Sequence, residues 1–520
     1  MIAFAWFMIM MTPLITAFFF ARFPLAFALP LTLICGHLFL PPDIGINLPA
    51  LPTLDKTTLP LISAAIFAYA ASRGKGWKPP RDQDWGQNGW LPQSWTGRLL
   101  FLGLLAYPIC TVMTNRDRLG EPHFINGLSY YDIGSLTYDS MFILLAITLG
   151  RRFLSHDEGQ RYMISALAVC AVIYSVPVII EWRLSPFLSD FIYGFQPYQW
   201  NTLVRFGGFR PVVFQEGGLR NAAVVTLLML ATVAAIRHFT GGRKQVWQLA
   251  AIPVVCAWLF SYSLTAWLLG AGFGLLLAFG TMRQHRIVII TVISLVAIYP
   301  LTQLTGQFPD DLVLNAIRAV HETRADSLEF RWSSETQIME RVYPRQYFGY
   351  GPWGRAFPYH PIRNTPVTVD SFWIITWMRF GWLGYFSMFG LLFVPPLMLV
   401  LRQRRTKPSW ASLGLCIVLC AVLLDQMVNA TVTPTTWLIA GAVLGRAERG
   451  LRASRVPRGS GAHGLSGTPA EDAGPPALGI RGSTGVMQRA PRQKTGGRHV
   501  PMIEGARARA RASLGEGEGG

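Results

Sequence analysis

Residues 331–355 read RWSSETQIMERVYPRQYFGYGPWGR, the centre of a polar run, Leu304–Ser371, that separates two strongly apolar segments. Connections longer than about 15 residues with no structure of their own are usually functional or disordered. Disorder does not fit this one. Solvated tails lack aromatics, whereas this run carries Trp332, Tyr343, Tyr347, Phe348, Tyr350, Trp353, Phe357 and Tyr359. Arg331, Arg341, Arg345, Arg355 and Arg363 are threaded among them, with His360 and Asp370. At its centre, Phe348-Gly349-Tyr350-Gly351-Pro352-Trp353-Gly354-Arg355 combines glycines, which permit sharp turns and close backbone approach, with a proline that fixes one dihedral. A helix is expected from Arg331 through Arg341, ended by Pro344. The run reads as a folded, cationic, aromatic-lined cap on a membrane protein.

The rest of the chain supplies the membrane. Of its 520 residues 51% are hydrophobic and 14% charged, against about 25% charged in ordinary soluble domains. Apolar blocks at 2–20, 23–40, 58–72, 98–114, 133–150, 162–180, 219–236, 246–261, 263–281, 287–302, 381–401, 409–425 and 432–445 have lengths near those that match a bilayer core. The expected fold is all-α, a polytopic integral membrane protein with about 12–13 transmembrane helices. The first block lacks a basic region before it and a small-residue cleavage site after it, and reads as a retained span. The net charge of +18 does not indicate a nucleic-acid partner, because the basic residues cluster in short connections beside apolar blocks. The six cysteines (35, 110, 170, 256, 416 and 420) fall in or beside those blocks without a CxxC pair, so neither a disulfide framework nor a zinc site is expected.

Charge sets the sidedness. The connections Arg73–Arg98, Arg151–Arg161, Arg237–Lys244, Arg283–Arg286 and Arg402–Lys407 are basic, and alternate connections separate them. With the basic tail from Arg446 they all fall on one side, the cytoplasm, if thirteen spans begin with the N-terminus outside. Segments 41–57, 115–132, 181–218, 304–371 and 426–431 then share the opposite face. The membrane domain is expected to be 1–445. The remainder, 446–520, is rich in Gly, Ala, Arg, Pro and Ser and reads as a disordered basic cytoplasmic tail touching membrane lipids.

Two of the outer segments carry the chemistry. In 181–220, Arg205 and Arg210 bracket Gly207-Gly208 and Arg220 opens the next apolar block. Guanidinium groups at a bilayer edge snorkel or find an anion. Three within sixteen residues, before a helix N-terminus, make a phosphate site, with Glu216 a structural partner for one of them. In the large loop, His360, flanked by prolines, is one base candidate. Asp310-Asp311 reads as a helix start before it reads as a metal pair. Trp373, Trp377 and Arg379 are spaced as on an amphipathic interfacial helix ahead of a full span.

The order Arg205-Phe-Gly-Gly-Phe-Arg210-Pro211, then Arg331 ahead of Gly349-Tyr350-Gly351, then Gly381-x-x-Gly384 opening a span, resembles the O-antigen ligase and O-antigen polymerase superfamily. It is most similar to the O-antigen ligase-like proteins associated with exopolysaccharide clusters. The resemblance covers roughly 181–402. It implies a GT-C-like fold with a large periplasmic loop in the bacterial inner membrane. The implied activity is a glycosyltransferase that polymerises or ligates undecaprenyl-diphosphate-linked oligosaccharides, needing no metal or other cofactor and working beside other polysaccharide assembly proteins. Carried over by position, Arg210 and Arg331 would hold the diphosphate, with Arg205, Arg220, Arg355, Arg363 and Arg379 as further substrate-binding candidates. Where the family has a His-Asn pair, eleven residues before the first glycine of Gly-x-x-Gly, this chain has Asp370-Ser371. Asp370 is therefore the candidate base, against the alternative of an ordinary helix N-cap. A flippase or transporter, and a non-catalytic subunit that binds lipid-linked glycans, are the competing functions. The spans hold few acids beyond Asp139, Glu181 and Asp425, which leaves proton coupling few candidates.

Overall fold

The computed structural model describes residues 2–47, 53–73, 89–119, 124–196, 203–205, 207–319, 322–359, 366–367 and 369–452. Its elements are nearly all helical. Helices α1 (Ile2–Arg22), α2 (Leu25–Phe39), α3 (Thr58–Arg73), α4 (Trp95–Met113), α5 (Tyr130–Phe153) and α6 (Asp157–Leu184) come first. Short α7 (Leu188–Tyr193) and a hairpin of β1 (Val204–Arg205) against β2 (Gly208–Phe209) follow. Then come α8 (Gly218–His238), α9 (Gly241–Leu259), α10 (Leu264–Phe279) and α11 (Met282–Leu304). The polar run holds α12 (Asp310–Arg318) and α13 (Glu322–Val342), and the described chain closes with α14 (Phe372–Leu401), α15 (Gln403–Thr406), α16 (Trp410–Asp425) and α17 (Pro434–Arg452).

Each of the expected apolar blocks falls within a helix to within about two residues at its ends. Hydrocarbon offers no partners to backbone N–H and C=O groups, and a helix satisfies them internally. Among the described residues seven helices, α1, α4, α5, α6, α8, α11 and α14, are long and apolar enough to cross a membrane, while α2, α10 and α16 are apolar but shorter. The outward surface is apolar too: Phe7, Met10, Leu14 and Phe18 of α1 and Leu268 and Leu275 of α10 are exposed, as suits a lipid solvent. The protein is an all-α polytopic membrane protein.

Helices in lipid associate where small residues let backbones approach. Gly441-Ala-Val-Leu-Gly445 on α17 does this against α5: a Cβ on Gly441 would stand 2.1 Å from the Ile147 carbonyl oxygen. One turn further, Arg151 of α5 and Glu448 of α17 form an ion pair of 2.7 Å with both side chains fully buried. The other Glu448 oxygen accepts from the backbone N–H groups of Gln93 and Ser94 and from the Ser94 hydroxyl. Those bonds meet the condition for burying a charge pair, that its remaining lone pairs be satisfied. The helix therefore does not stop at the expected boundary of 445. α17 continues through Arg452, and two of the charges read as part of a tail have fixed partners: Arg446 pairs with Asp157 at 2.7 Å and Glu448 with Arg151. The rest of that expected tail, 453–520, lies outside the described residues.

The connections sort into two linked groups. In one, Lys56 reaches Glu216, Arg345 reaches Asp117, Arg220 reaches the Ala430 carbonyl and Arg331 the Val428 carbonyl. These contacts tie together all five segments expected to share the outer face. In the other, Arg151 donates to Gly89, Arg446 to the Thr406 carbonyl, and Arg237 to the Ala278 carbonyl, lying over the Trp410 ring at 4.4 Å. These belong to the basic set.

Candidate functional site

The large loop is positioned by a break in α14. Gly381 has φ 61° and ψ −162°, which interrupts the helix. An interruption strands backbone groups that must find partners elsewhere, and residues 346–351 supply them. Trp382 N–H donates to Gln346 at 2.8 Å and Leu383 N–H to Tyr347 at 3.2 Å. In return Tyr350 and Gly351 N–H donate to Met378 at 2.9 Å and Arg379 at 2.8 Å. The two glycine motifs thus meet. A Cβ on Gly381 would sit 2.3 Å from the Tyr347 carbonyl carbon, and one on Gly349 would sit 2.4 Å from that of Arg379. Trp373 and Trp377 are fully buried, not interfacial as expected: Trp373 packs against Tyr299 of α11 at 5.6 Å and Trp377 against Trp382 at 5.7 Å.

From the other side the end of α4 clamps the same turn. Thr111 Oγ1 donates to the Phe348 carbonyl at 2.8 Å and Asn115 Nδ2 to Gly349 at 2.9 Å. Asp117 takes Arg345 at 2.7 Å, and the Arg345 hydrogen bond holds its carboxyl below the usual range. Arg355 is buried, donating to Tyr350 and Asp117 carbonyls at 3.1 Å and to that of Asn126. It acts as a rivet for the turn, which leaves its guanidinium little to offer a substrate.

α13 begins nine residues before the expected Arg331, at Glu322, and stops at Val342 ahead of Pro344. Proline disfavours helical geometry in the residue before it. On one face of α13 stand Arg331 and, four residues on, Glu335. Arg331 pairs with Asp370 at 3.2 Å and donates to the Val428 carbonyl at 2.8 Å. Asp370 does not cap α14. The cap position is Ser371, whose hydroxyl donates to Glu335 instead. The first N–H groups of α14 turn to the 426–429 segment, Phe372 bonding Gln426 and Asn429 at 3.1 Å each. Glu335 is buried, and among the described residues its second oxygen has no hydrogen-bond partner. Burial pushes its carboxyl up to about 7, against the opposing pull of the Ser371 hydroxyl, the Trp373 indole and the Arg331 guanidinium. Arg331, Glu335, Asp370 and Ser371, with Ser327, Phe330 and Val369, line a cavity of about 190 Å³.

Arg220 stands on the far side of the same turn. It donates to the Ala430 carbonyl at 3.3 Å and pairs with Glu216 at 3.1 Å. Lys56, buried, holds the other Glu216 oxygen at 2.9 Å. Burial alone would raise the Glu216 carboxyl, but Lys56 and Arg220 outweigh it and hold it near 2. Arg331 and Arg220 therefore contact carbonyls two residues apart on one short turn. Below it an apolar crevice is lined by Leu219, Leu227, Leu269 and Val422, with Thr431 and Thr436 also on its walls.

The other predicted residues are placed as follows. Arg210 is buried, its stem against Gly218 at the start of α8, donating to the Tyr262 carbonyl at 3.1 Å. Arg205 lies in β1. Arg379 sits on the segment of α14 before the break, half-buried, its carbonyl bonded to Gly351. Asp310 and Asp311 open α12, as a helix start requires. His360 and Arg363 lie outside the described residues. Two functional candidates escaped the sequence reading. Glu335 had one signal, its i+4 spacing from Arg331; Lys56 had none, since it meets Glu216 only through the fold.

No protein-family model matches the chain, and no curated protein matches it.

Proposed function

We propose that the protein is a GT-C-like, metal-independent glycosyltransferase of the O-antigen ligase and polymerase type. It would act on undecaprenyl-diphosphate-linked oligosaccharides at the periplasmic face of the bacterial inner membrane. The observation that carries this reading is the Arg331–Asp370 pair beside buried Glu335, with Arg220 across the 426–431 turn and an apolar crevice beneath. Glycosyl transfer to a hydroxyl needs a base at the acceptor and charge stabilisation at the departing diphosphate. Arg331 and Arg220 are the cations for the diphosphate, and the crevice suits the first part of a lipid tail. The acceptor oxygen attacks the anomeric carbon, the bond from that carbon to the diphosphate breaks, and a carboxylate takes the acceptor's proton. A carboxyl near neutrality matches that task, so Glu335 is the base. Asp370 aligns Arg331.

A transporter would use a broken helix to line a substrate path. The break in α14 is filled by loop backbone, which favours the enzyme. The test uses purified full chain with a defined lipid-linked oligosaccharide and acceptor. Arg331→Ala should lower turnover by on the order of 10²-fold or more at normal abundance. Arg331→Lys should recover part of it, lacking the bidentate fork. Full turnover in both Arg331→Ala and Arg220→Ala would sink the reading.

A further inference from the structure

A second, larger cavity opens between the segment preceding α3 and the first turns of α5. It has a volume of about 670 Å³, within the range of about 300–1,000 Å³ typical of ligand sites. Its walls include Asp55, Tyr130, Tyr131, Ser135, Tyr138 and Asp139, and every lining residue among those described is acidic, hydroxylated, aromatic or glycine.

The acids of the spans make this cleft unusual. Glu181 accepts backbone N–H groups of Leu188, Val212 and Val213 at 2.7–3.0 Å, and Asp425 bonds Asn429 and Thr431 at 2.7 and 2.6 Å. Both are fastenings of the fold. Asp139, by contrast, makes no hydrogen bond among the described residues, and the Arg379 guanidinium is the charge that acts on it. A carboxylate part-way along an apolar span is costly unless it faces water or a ligand, and Asp139 faces this cleft. Asp55 uses one oxygen to cap α3, accepting from the Thr57 and Thr58 N–H groups at 2.8 and 2.9 Å, and its second oxygen makes no hydrogen bond among the described residues. Tyr130 is fixed by Arg116, stacked over its ring at 4.1 Å. Tyr131 is 66% exposed.

We propose that this cleft binds the sugar rings of an uncharged oligosaccharide. Tyrosine faces pack against the C–H faces of pyranose rings, while carboxylates and hydroxyls pair with ring hydroxyls in both hydrogen-bonding senses. Among the described residues the lining holds no lysine or arginine and no aliphatic side chain, which disfavours phosphate groups and lipid tails. The assignment rests on the transferase reading for its reason to bind sugar, and places the glycan's polar rings at a distance from the diphosphate cations.

The experiment purifies the full chain in a detergent without a sugar headgroup, since a glucoside or maltoside would occupy the cleft, and applies it to an array of neutral soluble oligosaccharides. The wild type should retain a subset of at least disaccharide length. Tyr131→Ala and Asp139→Asn should each weaken retention by on the order of tenfold, Tyr131→Phe should keep it, and Arg331→Ala should keep it while losing transfer. Competition by the same glycan on a polyprenyl diphosphate distinguishes a lipid-borne chain, which should bind more tightly, from a free one. Retention of no glycan by the folded wild type, or retention indifferent to both cleft substitutions, overturns the proposal. Cleft-dependent binding without any transfer would leave the sugar site standing and remove the transferase.

Discussion

Glu335 and Asp370 lie on either side of Arg331, yet their surroundings give them different work. Asp370 is about half exposed and holds the guanidinium at 3.2 Å. Glu335 is buried, bonded by Ser371, and titrates near 7 because burial disfavours its charged form. If its carboxylate is the base, turnover should rise through about pH 7 and level off above it. Stability should run the other way. The folded state binds the proton more tightly than the unfolded chain, whose carboxyl titrates near 4.5. Below that value the two states are equally protonated and nothing is lost. Stability then falls as pH rises from about 4.5 to about 7. Glu335→Gln should lower turnover by roughly 10²–10⁴ and flatten both slopes, read by a pH–rate profile and by thermal unfolding at several pH values. A variant with normal turnover and an unchanged pH profile would return the base to Asp370.

At the scale of elements, the joint between α14 and the 346–351 turn decides whether the site exists. Gly381 holds φ 61° with ψ −162°, a combination open in practice only to glycine. Gly381→Ala and Gly349→Ala should each destabilise by about 2 kcal/mol or more, from left-handed strain together with backbone contact under 2.5 Å. Gly354→Ala is the control: its φ is 81°, but nothing stands within 4 Å, so strain alone should cost about 1 kcal/mol. Thermal unfolding read by tryptophan fluorescence distinguishes them, and equal shifts for Gly381 and Gly354 would refute the joint. Much of this was legible in the sequence. The glycines mark close approach, Pro344 marks a helix end, and Arg331 and Asp370 stand out as charged residues of the polar run. The mutual docking was not legible, because the two motifs touch through backbone atoms that carry no side-chain signature. Glu335 was missed for a related reason: an acid in a polar run reads as solvated until the fold buries it. The sequence also does not show that Arg210 and Arg355 donate to backbone carbonyls, which ties both side chains into the fold.

At the scale of the whole molecule, the contacts unite one set of segments at Arg331, Arg220, Lys56 and Arg345, and another at Arg151, Arg446 and Arg237. The grouping follows the alternation of basic and non-basic connections, and it puts the proposed transfer site and the proposed sugar cleft among the same set of segments. The basic set is joined partly through α17, whose last turns looked like the start of a tail. Ending the chain after Gly445 would remove Glu448 and leave Arg151 buried without its carboxylate. Breaking a buried pair from one side costs about 3–5 kcal/mol. The same cut would strand the Gln93 and Ser94 N–H groups that Glu448 accepts. Ending it after Arg452 removes none of these bonds. The shorter chain should therefore fail to accumulate or unfold at markedly lower temperature, while the longer one should match the full chain in abundance and turnover. Glu448→Gln in the full chain isolates the charge, because the amide oxygen still accepts the Ser94 bonds but no longer neutralises Arg151. It should fall between the two truncations, and a Glu448→Gln chain as stable as the wild type would show that α17 acts through packing at Gly441 and Gly445, with the ion pair contributing little.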